Sequence, residues 1–132
     1  MTLTDIRKDI ASHTNKEKAV VLQRFFKTGK GQYGHGDVFL GITVSQSRKI
    51  AKKYTALSEK DVTTLLRSKF HEERLIALLI MIAQFEQGGD PQKKKIVHLY
   101  LSNTTHINNW DLVDLSADKI LGAYLYANVK ER

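Results

Sequence analysis

The chain has no cysteine. That excludes disulfides, thiolate metal sites and a cysteine nucleophile, and it fits a reducing compartment. A single proline leaves long helices uninterrupted. The longest apolar run, Leu75 to Ala83, is far shorter than the roughly 20 residues a membrane-spanning helix needs. The N-terminus, Met1-Thr2-Leu3-Thr4-Asp5, is polar and meets charge at once, so it is not a secretory signal. Acidic residues are scarce in the first half only. Residues 1–70 hold 14 Lys/Arg against 6 Asp/Glu, a balance of +8, whereas residues 71–132 hold 7 against 8. A one-sided basic field suits phosphate binding, and it equally suits plain solubility.

The apolar period is helical along nearly the whole chain. Thr2 caps a helix to about His13, with Leu3, Ile6 and Ile10 inward. Asn15 caps a second through Val21, Leu22, Phe25 and Phe26. Thr43 or Ser45 starts a third, with Ile50, Ala51 and Tyr54 inward and Arg48, Lys49, Lys52 and Lys53 outward. Ser58 caps a fourth whose Val62, Leu65, Leu66 and Phe70 form a buried stripe. A fifth, about His71 to Gln87, is apolar all round from Leu75 to Ala83 and is expected at the centre, covered on several sides. Gly88-Gly89 ends it. Asp90 caps the sixth, with Pro91 at its first position, Lys93, Lys94 and Lys95 outside, and Ile96, Val97, Leu99 and Leu101 inside. A short helix from Trp110 and a last one near Lys119 to Val129 follow. The expected fold is all-α: one domain over residues 1–132, about seven or eight helices stacked as antiparallel pairs in a solenoid-like array. In the long loop Gly29 to Gly41, Val38-Phe39-Leu40 reads as a short strand with nothing to pair with.

Several motifs fail on context. Gly29-Lys30-Gly31-Gln32-Tyr33-Gly34 matches a dinucleotide fingerprint, but a helix precedes it and an extended segment follows, the reverse of what that site needs. It reads instead as a tight loop, and Lys30 beside exposed amides suits a phosphate. His71-Glu72-Glu73-Arg74-Leu75 begins like a zinc-protease helix but lacks the second histidine. The five histidines are scattered. No metal and no cofactor are expected.

The segment Asn108-Asn109-Trp110-Asp111-Leu112-Val113-Asp114 holds the only tryptophan. In a helix, Trp110 and Asp114 share one face, one turn apart. A flat ring beside a carboxylate is what a site needs to hold a sugar and stabilise positive charge developing in it. The same residues also suit a plain helix start, with Asn109 as N-cap, Asp111 in the first turn and Trp110 in a core. Spacing alone favours the plain helix start, since function is not read from one pair.

Three pieces together resemble the DNA alkylation-repair glycosylases built from HEAT-like helical pairs. They are Phe26 to Ile42 leading into a helix with Arg48, His71-Glu72-Glu73-Arg74 leading into the apolar helix, and Asn108 to Asp114. The resemblance runs the length of the chain and matches the N-terminal part of that family's domain, so residues 1–132 are expected to be the first part of a longer DNA alkylation-repair domain. It implies removal of N3- and N7-alkylated purines from double-stranded DNA by hydrolysis of the N-glycosidic bond, without drawing the base into a pocket. It also implies that Asp114 is the catalytic residue, stabilising charge at C1′ and orienting water, and that Trp110 packs on the deoxyribose. Asn109, Lys30, Arg48, Lys49, Lys52 and Lys53 join Trp110 as expected substrate- and DNA-binding residues. The expected setting is a bacterial-type cytoplasm, nucleoid-associated when bound to DNA, with no membrane partner. An apolar face around Ile120, Leu121, Tyr124 and Leu125 offers a surface for a homodimer. Two rivals stand beside the glycosylase: a catalytically silent helical-repeat protein that binds DNA backbone, and a protein-interaction scaffold.

Overall fold

The computed structural model describes residues 1–25, 38–107 and 110–130, apart from the side chains of Phe25, Trp110, Asp111, Asp114, Leu115 and residues 127–130. Eight α-helices follow one another among the described residues: α1 Leu3–Ser12, α2 Lys16–Phe25, α3 Val44–Lys53, α4 Glu59–Leu66, α5 His71–Gln87, α6 Asp90–Ser102, α7 Trp110–Ala117 and α8 Ala123–Lys130. A 3₁₀ turn, Thr104–His106, precedes α7, and a π turn, Asp118–Gly122, joins α7 to α8. The fold is all-α and solenoid-like, as the helical period predicts.

Helix starts follow their capping residues. Thr2 and Thr43 each form a reciprocal capping box, with Asp5 and Gln46 respectively, and the Ser58 hydroxyl accepts from the Asp61 N–H. Each satisfies amide donors that a helix start leaves orphaned. The Asn15 side chain accepts from the Lys18 N–H at 3.0 Å. The sixth helix differs from its sequence reading: Gly89 is its N-cap, and Asp90 sits inside the first turn, where its charge complements the helix dipole.

Helix α5 is the axis of the molecule, packed by α3, α4, α6 and α7. Leu75 to Ile82 are buried and Ala83 is half-buried, and the burial reaches back to His71. Each fully buried Leu or Ile contributes about 1.5–3 kcal/mol, so this one helix anchors the core. The core runs without a break from Ile6 and Ile10 of α1 to Leu112 and Ile120. Gln84 reaches from α5 to donate to the Thr55 and Leu57 carbonyls, holding the α3–α4 connection.

Four local expectations change in three dimensions. Val38 does find a partner: its N–H donates to Lys69 O at 3.1 Å, its carbonyl accepts from His71 N at 2.8 Å, and a single parallel bridge to Phe70 results. Phe70 is half-buried beside that bridge, outside the α4 stripe. Leu101 is 54% exposed, because Ile96 and Tyr100, one turn apart, take the inward face of α6. The last two helices form one rod, because residues flanking the π turn keep helical backbone angles. Ile120, read as part of an uncovered face, is fully buried within this rod. Leu125 and Tyr126 are exposed beyond it.

Candidate functional site

The rotation of α7 is set by the residues between Trp110 and Asp114 and just after them. Leu112 and Ser116 are both 0% exposed. The Ser116 hydroxyl donates to Leu112 O at 2.6 Å and receives the Tyr100 hydroxyl at 2.8 Å, since its own proton is already committed. Ile120 extends the same buried stripe. Each residue turns the helix by about 100°, so positions 110 and 114 fall about half a turn from that stripe, on the opposite face. Asp118, the next residue along that outer stripe, is exposed. The side chains of Trp110 and Asp114 lie outside the described residues, as do Asn109 and Lys30 entirely, together with the glycine-rich stretch at 29–34.

The entry to α7 is held from below. Asn103, 1% exposed, accepts from Arg67 Nε at 2.8 Å and donates to Leu99 O. Arg74 Nη1 donates to His106 O at 3.3 Å. Ile107 is buried at the end of the 3₁₀ turn. The 3₁₀ turn ahead of α7 is therefore tied to α5 through Arg74, and Asn103 before it to α6 and Arg67.

His71-Glu72-Glu73-Arg74 proves to be a buried polar knot. Glu72, 1% exposed, takes the Leu40 N–H on both oxygens at 3.0 Å and the Gly41 and Ile42 N–H groups on Oε2 at 2.8 and 3.2 Å. One carboxylate thus satisfies three amides of an irregular segment that runs into α3. Glu73 receives Arg7 through two bonds, 3.3 and 3.1 Å, fixing α1. Gly41 has φ +82, and a side chain there would run into the Asn15 carbonyl. Sequence reading rejected this motif as a zinc site and kept it only as one piece of the family resemblance, with no structural role. Its only signal was two acids in the first turn of a helix, which is common.

Helix α3 presents Arg48, Lys49, Lys52 and Lys53 on one exposed face, with Ser47, Ile50 and Ala51 buried behind them. The four do not share one environment. Lys53 Nζ stands 4.0 Å from Asp9, whose Oδ2 also accepts the Tyr54 hydroxyl at 2.7 Å. That hydrogen bond, with burial and the negative charges of Asp9 and Asp5, pushes the Tyr54 pKa up to about 12. Arg48 and Lys52 turn the other way. They line a groove of about 300 Å³ with Leu79, Ile82, Ala83 and Glu86 of α5 and, across it, Lys119. Glu86 and Lys119 also line an adjoining groove of about 680 Å³ with Phe85, Lys93, Asp118 and Tyr126. Lys93 covers the Phe85 ring at 5.3 Å. Lys119 was missed in the sequence because it stands in the half of the chain with no basic excess.

Among the described residues no three His, Asp or Glu side chains cluster to hold a metal ion, and no helix is long and apolar enough to cross a membrane. No curated protein and no solved structure matches the chain. A family model does, over residues 6–132, and its description is DNA alkylation repair enzyme. Agreement over nearly the whole length, on an all-α solenoid-like fold, means that this chain belongs to the family of DNA alkylation repair enzymes.

Proposed function

We propose that the protein is a DNA glycosylase that removes N3- and N7-alkylated purines from duplex DNA by hydrolysing the N-glycosidic bond. The observation that carries this is the setting of α7. Leu112, Ser116 and Ile120 commit one stripe of α7 to the core, and helical spacing puts positions 110 and 114 one turn apart and off that stripe. The cationic face of α3 supplies a second support, since duplex DNA is bound chiefly through its phosphates. An alkylated purine is already cationic, so its bond to C1′ breaks readily and leaves an oxocarbenium-like sugar. Asp114 stabilises that charge and orients the water whose oxygen bonds C1′ as its proton passes to solvent, while the cationic base keeps the bonding electrons and leaves neutral. Trp110 packs on the deoxyribose.

The test is release of 7-methylguanine or 3-methyladenine from methylated duplex by the full-length protein under single-turnover conditions. Asp114→Asn keeps size and removes charge, so binding stays nearly intact while the rate falls by about 10²–10³. An unchanged rate takes Asp114 out of the mechanism. Wild-type protein that binds duplex but releases no base is a silent DNA binder instead.

A further inference from the structure

The π turn has a consequence for Lys119. In an unbroken α-helix, position 119 falls one heptad after Leu112 and so on the same buried face. A π turn holds one residue more than an α turn. The wider turn centres Ile120, 0% exposed, on the core stripe, and swings Lys119 to its edge. There Lys119 is exposed and lines, with Arg48 and Lys52, the groove floored by Leu79, Ile82 and Ala83. Among the described residues none of these three cations has an ion-pair partner, and Glu86 is the only acid lining the groove.

We infer that this groove is a binding site for a single DNA backbone phosphate, held between Arg48 and Lys52 on one wall and Lys119 on the other. The inference rests on the reading of the protein as a DNA-acting enzyme and adds to it a specific contact from outside the basic half of the chain. Three cations from two elements, over an apolar floor that limits water, attract a phosphodiester more strongly than the same charges spread on a flat face. Arg48 adds a planar fork that matches two phosphate oxygens. Lys119 follows Asp114 by five residues on one rod, a separation of about 7 Å along the axis. Lys49 and Lys53 fall outside the groove.

The experiment is duplex binding by fluorescence anisotropy across a salt series, on unmodified DNA, with full-length wild type, Lys119→Gln, Arg48→Gln, the double variant, and Lys94→Gln on exposed α6 as control. Losing one phosphate contact lowers the salt slope by about 0.9. The fall in affinity between about 50 and about 200 mM salt then becomes about threefold smaller in Lys119→Gln, with no change in Lys94→Gln. The double variant loses less than the sum of the two singles, because both side chains serve one phosphate. An unchanged slope in Lys119→Gln, strictly additive losses, or wild-type protein that does not bind duplex overturns the site. So does inorganic phosphate, added at constant ionic strength, that shifts the Lys119 NMR signal while duplex DNA does not. Base release distinguishes this from the glycosylase reading. A Lys119-dependent slope without base release keeps the site and ends the enzyme, whereas base release with a Lys119-independent slope does the reverse.

Discussion

Replacing Glu72 with glutamine tests how the fold supports α3 and its cationic face. Glu72 is 1% exposed, and its carboxylate serves the amides of Leu40, Gly41 and Ile42 at 2.8–3.2 Å. Glutamine keeps the shape and one acceptor oxygen. Gly41 and Ile42 both bond Oε2, so the retained oxygen takes that place and the new NH2 group faces the Leu40 amide. A bond to a charged acceptor contributes about 1.5–3 kcal/mol, against about 0.5–1.5 for a neutral one. The three bonds to Oε2, weakened by about 1 kcal/mol each, and the Leu40 bond to the other oxygen, lost where NH2 meets N–H, give a loss of at least about 3 kcal/mol, a large part of a typical stability of about 5–15 kcal/mol. Urea unfolding followed by circular dichroism measures it, with Glu86→Gln on the exposed end of α5 as a control within about 0.5 kcal/mol of wild type. Because residues 40–42 lead directly into α3, the variant also binds duplex DNA less well. A Glu72→Gln protein within about 0.5 kcal/mol of wild type refutes the clamp, and the three amides then have other partners.

Two further outcomes follow from α3. Charge reversal of Arg48 and Lys52 together weakens duplex binding alike for all sequences and flattens the salt slope by about 0.9, the share of the one phosphate they hold in common; unchanged binding makes them solvated charges only. Tyr54 has a folded-state pKa of about 12 against an ordinary value of 10.0, so its hydrogen bond to Asp9 contributes stability that is complete below about pH 10 and is lost as pH rises through about 12. The stability difference between wild type and Tyr54→Phe therefore shrinks over that range in urea titrations, and a difference independent of pH there contradicts the assignment.

The fold class, most helix starts and the central helix were legible in the residues alone, because each depends on local chemistry. Thr2, Thr43 and Ser58 carry their own caps, and an apolar run with no polar side has nowhere to go but the centre. The Trp110–Asp114 spacing was equally local. The rotation of α7 was not, since it depends on the core claiming Leu112, Ser116 and Ile120 and on Tyr100 reaching Ser116 from another helix. The long-range polar contacts were invisible for the same reason: Glu72 meets Leu40, Gly41 and Ile42 across about 30 residues, and sequence spacing carries no record of a partner so distant. Lys119 shows the difference most sharply. Charge counting assigns it to a half with no basic excess, and a regular helix would turn it inward. Only the packing demand for Ile120, met by a π turn, sets it opposite Arg48 and Lys52.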